Sequence, residues 1–246
     1  MYTIIGEKMG LYDRDYVKNN STVQENDYRE VGAQSSDLST FIKATYQLFA
    51  GTMVAGAAGA YVGIGIADVI AANYLWIAIP WMLFGMFGLT MVQDKTPLNY
   101  VVLFAFTFVG GIILAPLLSR VLGMSGGGAL IANAFITTSV IFGALSVYAM
   151  NAKSDFSSFG KPLMIALVIV IIAMLLNAFV FNSPIMHVVM LGAIVLLMSG
   201  FVLYDTQNII KGMYRTPIEG AFALYLNFFN MFSAILQIFG IFGGDE

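Results

Sequence analysis

No cysteine occurs among the 246 residues. Disulfides, zinc–thiolate sites and a cysteine nucleophile are therefore excluded. Charge is also scarce. Charged residues make up 10% of the chain, where a soluble domain usually carries about 25%. Hydrophobic residues make up 59% and fall in several long runs, the pattern of a polytopic membrane protein whose first partner is the lipid bilayer. The net charge of −3 comes largely from tails and loops and provides no basic stripe, so no nucleic-acid partner is expected. Residues 1–40 lack an apolar segment of the kind that forms a secretory signal.

The apolar runs give seven candidate spans, roughly 43–67, 73–92, 98–121, 128–150, 162–182, 186–209 and 218–242. Each holds about 20 mainly apolar residues, enough for a helix to cross a hydrocarbon core of about 30 Å. The expectation is an all-α polytopic bundle: a polar cytoplasmic tail over residues 1–42, and a transmembrane domain over 43–246. Orientation follows from basic residues. Lys8, Arg14, Lys18, Arg29, Lys43, Lys95, Lys153, Lys161, Lys211 and Arg215 fall on one side, and only Arg120 on the other. This places the N-terminus in the cytoplasm and the C-terminus outside, in a bacterial inner membrane. Spans three, five and seven open after a basic residue and a proline, in 95-KTPL-98, 161-KPL-163 and 215-RTPI-218. The first span carries Gly51, Ala55, Gly59 and Gly63 four apart, a spacing that lets helices approach closely. Pro80 and Pro116 should loosen spans two and three.

Two constellations compete as chemistry. The stretch 123-GMSGGGA-129 contains Gly-x-Ser-Gly, and His187, the only histidine, opens span six on the same side. A rhomboid-type intramembrane serine protease pairs such a serine with a histidine. The Trp-Arg motif and second-span histidine of those proteases are missing, and the glycines suit a turn, so no enzyme is expected. The second constellation is Asp205, in 200-GFVLYDTQNII-210. An ionisable residue in a membrane segment is costly and marks a functional candidate. The alternative is an interfacial carboxylate paired with Lys211, Lys43 or Lys95. Asn227 and Asn230 stand amid apolar residues of the last span, and amides at that depth need partners inside the bundle. Asn227 would meet Asp205 if the helices tilt. Asn230 and Tyr204 are supporting candidates.

The segments 200-GFVLYDTQNIIKGMY-214, 223-ALYLNFFNMFSAILQIFG-240, 133-NAFITTSVIFGALSVYAM-150 and 154-SDFSSFGKPL-163 closely resemble the transmembrane Bax inhibitor motif family, over roughly residues 40–242. The resemblance implies seven helices, six around a central seventh. It also implies a pH-sensitive leak of calcium or another cation, or, as in bacterial relatives, a link to a membrane-anchored ATP-dependent protease. The family commonly carries an aspartate where this chain has Asn227. The shared-proton switch between two carboxylates is thereby put in doubt. Asp205 with an amide is also a weak calcium site, since calcium prefers six to eight oxygens. Beyond calcium as a bound or transported ion, no cofactor is implied.

Overall fold

The structure, a computed structural model, describes residues 12–92 and 94–243, with the side chains of 12–35 and of Met86 outside the description. Lys8 and the side chains of Arg14, Lys18 and Arg29 accordingly lie outside the described residues. Among those described, the only regular structure is helical. The chain runs through α1 (Tyr12–Ile64), the short α2 (Ala67–Ala72), α3 (Tyr74–Val92), α4 (Leu98–Leu122), α5 (Gly127–Asn151), α6 (Gly160–Leu176), α7 (Pro184–Ile210) and α8 (Pro217–Phe242). A 3-10 turn over Ser157–Phe159 leads into α6, and a π turn over Asn177–Phe181 extends it. The described residues up to Phe41 fall in one contact unit and those from Ile42 onward in another. The polar segment read as a tail is helical from Tyr12, in keeping with the absence of proline and glycine between Tyr12 and Gly32.

Six stretches among the described residues are long and apolar enough to cross a membrane: Ser36–Ile64, Leu98–Leu122, Gly127–Asn151, Ser157–Phe181, Pro184–Ile210 and Pro217–Phe242. The remaining apolar helix, α3, is 19 residues long and contains Pro80. The first predicted span ends earlier than expected, because the chain leaves α1 at Ile64 and makes a separate turn of helix, α2, before α3.

The small-residue stripe is a packing seam. A Cβ on Gly59 would lie 1.9 Å from the Phe108 carbonyl oxygen, and one on Gly111 would lie 1.9 Å from the Gly56 carbonyl oxygen. Gly51 meets the Phe104 ring, and Gly63 meets Ile112 and Ala115. Backbones of α1 and α4 therefore touch between Gly56 and Gly63, an approach that a side chain at Gly59 or Gly111 would prevent. Gly127 departs from the sequence reading. It opens α5 rather than standing free in a loop, and its Cβ would lie 2.0 Å from the Val121 carbonyl oxygen.

Helix α8 has partners on several sides. It packs against α4, α5 and α7. Phe228 meets Phe49 of α1 and Phe142 of α5, and Phe229 meets Trp81 of α3. The Tyr225 hydroxyl donates to the Thr107 carbonyl at 3.1 Å, and the Trp81 indole donates to the Phe106 carbonyl at 2.9 Å. Both aromatic residues thus bury large rings and satisfy their one polar atom on the backbone of α4. At the other extreme, α6 is the least enclosed span, with 6% of its apolar window buried against 50% for α8. It packs on α7.

Candidate functional site

The register of α7 on α8 places the site. A Cβ on Gly220 would touch Ile209 at 3.1 Å, so these residues stand opposite one another in the antiparallel pair. Asp205 lies four residues back along α7 and Asn227 seven residues on along α8. At 1.5 Å per residue that leaves them roughly 4.5 Å apart in depth. Helical side chains lean toward their own N-terminus. Asp205 therefore leans deeper and Asn227 leans shallower, and the two meet. The Asn227 amide donates to Asp205 Oδ2 at 2.6 Å. Both residues are buried, at 4% and 5% exposure.

The other carboxylate oxygen is taken by a residue of the loop between α7 and α8. The Tyr214 hydroxyl donates to Asp205 Oδ1 at 2.5 Å. Tyr214 returns over the end of α7 because the chain reverses at Gly212. There φ is +63°, a region that glycine enters without strain. The Met213 N–H donates to the Asn208 carbonyl at 2.8 Å and the Gly212 N–H to the Ile209 carbonyl at 3.0 Å. This is the paired closure of a helix end by a left-handed glycine. On its far side the loop enters α8 through Thr216, whose hydroxyl accepts from the Glu219 N–H at 3.3 Å. Burial and the neighbouring Asp205 carboxylate raise the Tyr214 pKa well above that of a free phenol. The ring therefore remains a protonated donor at every physiological pH.

The turn of α7 that follows Asp205 is buried and polar. Thr206, Gln207 and Asn208 are all at most 4% exposed. Thr206 faces Ser146 of α5 at 3.4 Å. Gln207 donates to the Ser154 carbonyl at 2.7 Å and accepts from the Phe156 N–H at 2.6 Å, fixing the α5–α6 loop. The Asn208 amide lies beside the Tyr214 hydroxyl, and its oxygen is buried without a hydrogen bond.

The interfacial alternative for Asp205 does not hold. Lys211 pairs instead with Asp155 at 2.6 Å. Lysine and Ser157 hold Asp155 well below the usual carboxylate range, at about 2. Asn230 does not join the site either. It is exposed, and its amide donates to the Leu226 carbonyl of its own helix at 2.8 Å. Tyr204 is half-buried against Gly160 and close to Tyr214, without a hydrogen bond to Asp205. Ser125 is exposed in the α4–α5 turn and His187 is half-buried in the first turn of α7, and no hydrogen bond joins the two side chains.

The geometry is that of a carboxylate closed in by an amide and a phenol. Each of its oxygens accepts one hydrogen bond from a protein donor. Among the described residues no three acidic, histidine or cysteine side chains gather as a metal site. A groove of about 600 Å³ between α5, α7 and α8 is lined by residues including Ile141, Leu196 and Phe239, and does not include Asp205.

Comparison with known sequences decides the family. The pattern described as "Inhibitor of apoptosis-promoting Bax1" matches residues 38–244, which takes in every membrane helix and the Asp205 cluster. The chain belongs to the Bax inhibitor family. Three similar proteins come from bacteria. A Campylobacter jejuni protein is 47% identical over 94% of this chain and 97% of its own length. A Vibrio cholerae membrane protein is 34% identical over 83% of this chain and 91% of its own. The Escherichia coli protein named "Modulator of FtsH protease YccA" is 35% identical over 66% of this chain and 75% of its own length. With its apolar helices, this Bax inhibitor family member is an integral membrane protein.

Proposed function

We propose that this Bax inhibitor family protein is a regulatory membrane protein that modulates a membrane-anchored ATP-dependent protease. The observation that carries the reading is the similarity, over two thirds of the chain, to a relative named as a modulator of such a protease. In this reading the chain crosses a bacterial inner membrane seven times, α3 being the second crossing, with α8 enclosed by the other six. The N-terminus lies in the cytoplasm, the side to which ten of eleven basic residues are assigned. The Asp205–Asn227–Tyr214 cluster then fixes α7, α8 and their loop in one arrangement, and the polar segment before the first span is available to the partner. Deleting residues 1–40 tests this. Loss of protease modulation by a chain that still folds supports the reading. Retention of full modulation removes that segment from it.

A second reading is favoured by Asp205 itself, a carboxylate buried within a membrane helix. It makes the protein a cation or proton leak gated at Asp205. One carboxylate with neutral neighbours suits a proton or a monovalent cation better than calcium, whose usual shell holds six to eight oxygens and several carboxylates. Flux into liposomes by purified protein, abolished by Asp205→Asn, would support this reading. Flux indifferent to that change would end it.

A further inference from the structure

The geometry points to the α7–α8 loop, Lys211–Thr216, as a strap that shuts Asp205 off from the aqueous side and can be released without unfolding the bundle. Three observations converge on it. First, Tyr214 is the loop residue that reaches inward, and it donates directly to Asp205. Second, the loop is tied down at two places to two different neighbours. Lys211 bonds Asp155 of the α5–α6 loop at 2.6 Å, and Arg215 bonds Asp94 of the α3–α4 loop at 2.7 Å. Third, these ties lie in water. The side chains of Lys211 and Asp155 are 38% and 64% exposed, and those of Arg215 and Asp94 64% and 54%. Exposed ion pairs hold weakly. A strong inner bond is thus covered by weak outer ones, which is the arrangement of a segment that opens locally before the rest of the fold.

The hinges are in place as well. Gly212, at φ +63°, and the junction at Thr216 mark the two ends of the strap. Neither belongs to the packed seams of the bundle. Lifting the strap removes the phenol from Asp205 while Asn227 keeps its own bond from α8. Asp205 is then held on one oxygen and offered to solvent on the other. The α3–α4 and α5–α6 loops each hold one tie, so anything that binds those loops and draws off Asp94 or Asp155 frees the strap. This inference deepens the second reading above, in which Asp205 is the ionisable group.

The absence of native cysteine makes the test direct. Thr206→Cys places a single thiol next to Asp205, at a position with 0% exposure, and alters the side-chain contacts with Ser146, at 3.4 Å, and with Tyr46. Its rate of reaction with a membrane-impermeant maleimide is measured in detergent and in vesicles. With the strap intact the rate is low. Adding Tyr214→Phe, which removes a hydrogen bond to a charged group, raises it about tenfold or more. Adding Lys211→Ala with Arg215→Ala instead raises it about threefold. Ala134→Cys, equally buried but toward the opposite end of α5, serves as the control and stays slow in every background. An unchanged rate for Thr206→Cys with Tyr214→Phe overturns the strap. So does a parallel rise at Ala134→Cys, which would mean general loosening. Labelling reads the strap and liposome flux reads the role of Asp205, so the two ideas fail separately.

Discussion

Replacing Asn227 by alanine takes away one of the two protein donors to a buried carboxylate. The bond is 2.6 Å long and the acceptor is 4% exposed. Leaving a buried charged acceptor unsatisfied costs about 2–3 kcal/mol, more than the net worth of an ordinary hydrogen bond. For a chain of this size that corresponds to a fall in melting temperature of roughly 5–10 °C. Asp205→Ala removes the charge together with both its bonds, and strands the Asn227 amide and the Tyr214 hydroxyl. The double variant strands only Tyr214. Its loss should fall short of the summed single losses by about 2 kcal/mol, the coupling between neighbours in one network. The assay is thermal unfolding of the four proteins in one detergent, with the same protein-to-detergent ratio. Additivity within about 0.5 kcal/mol would mean the two side chains do not interact. The register argued from Ile209 and Gly220 would then be wrong with it.

Other predictions follow from the same geometry. Gly59→Leu should destabilise the bundle by several kcal/mol, or prevent its assembly, because the new Cβ would lie 1.9 Å from the Phe108 carbonyl oxygen. Gly128→Leu, which meets nothing within 4 Å, should melt within a degree or two of the natural protein. The Asp155–Lys211 tie should survive mild acid. A carboxylate held at about 2 against an ordinary value of 3.8 contributes stability above 3.8, and loses it as pH falls through about 2. An NMR titration of the Asp155 carboxyl should show it ionised throughout the range from pH 5 to 8, and Lys211→Ala should move its midpoint back toward 3.8. A periplasmic reporter fused after Glu246 should be active and a cytoplasmic one silent, as the placement of basic residues requires.

How much of this was legible beforehand differs from residue to residue. The meeting of Asp205 with Asn227 could be anticipated, because a carboxylate and an amide in adjacent apolar helices have few other partners available. Asn230 looked equivalent and is not. An amide on the outer face of a helix can satisfy itself on the carbonyl four residues back, so depth alone does not force it inward. Tyr214 was missed because nothing in the apolar pattern marks a loop residue that folds back. The available signal was Gly212, standing just past the end of α7 where a left-handed residue closes a helix. The glycine seam of α1 was read correctly from its four-residue spacing. Gly127 was misjudged because a glycine-rich turn resembles a free loop, and only the fold reveals the Val121 carbonyl beneath it. The short α2 was invisible within an unbroken apolar stretch, since periodicity cannot separate a helix from a break in it.

The central claim is that this protein acts on a membrane-anchored ATP-dependent protease. The most direct measurement is the turnover of one membrane substrate by such a protease from the same cell, reconstituted in liposomes with and without the purified full-length chain. The account predicts that turnover changes at least twofold as the chain is added and saturates with its concentration. It predicts no such change when an unrelated polytopic membrane protein takes its place. Turnover that stays the same at a large excess of the folded chain would contradict it, and an Asp205-dependent cation flux in those same liposomes would put the leak in its place.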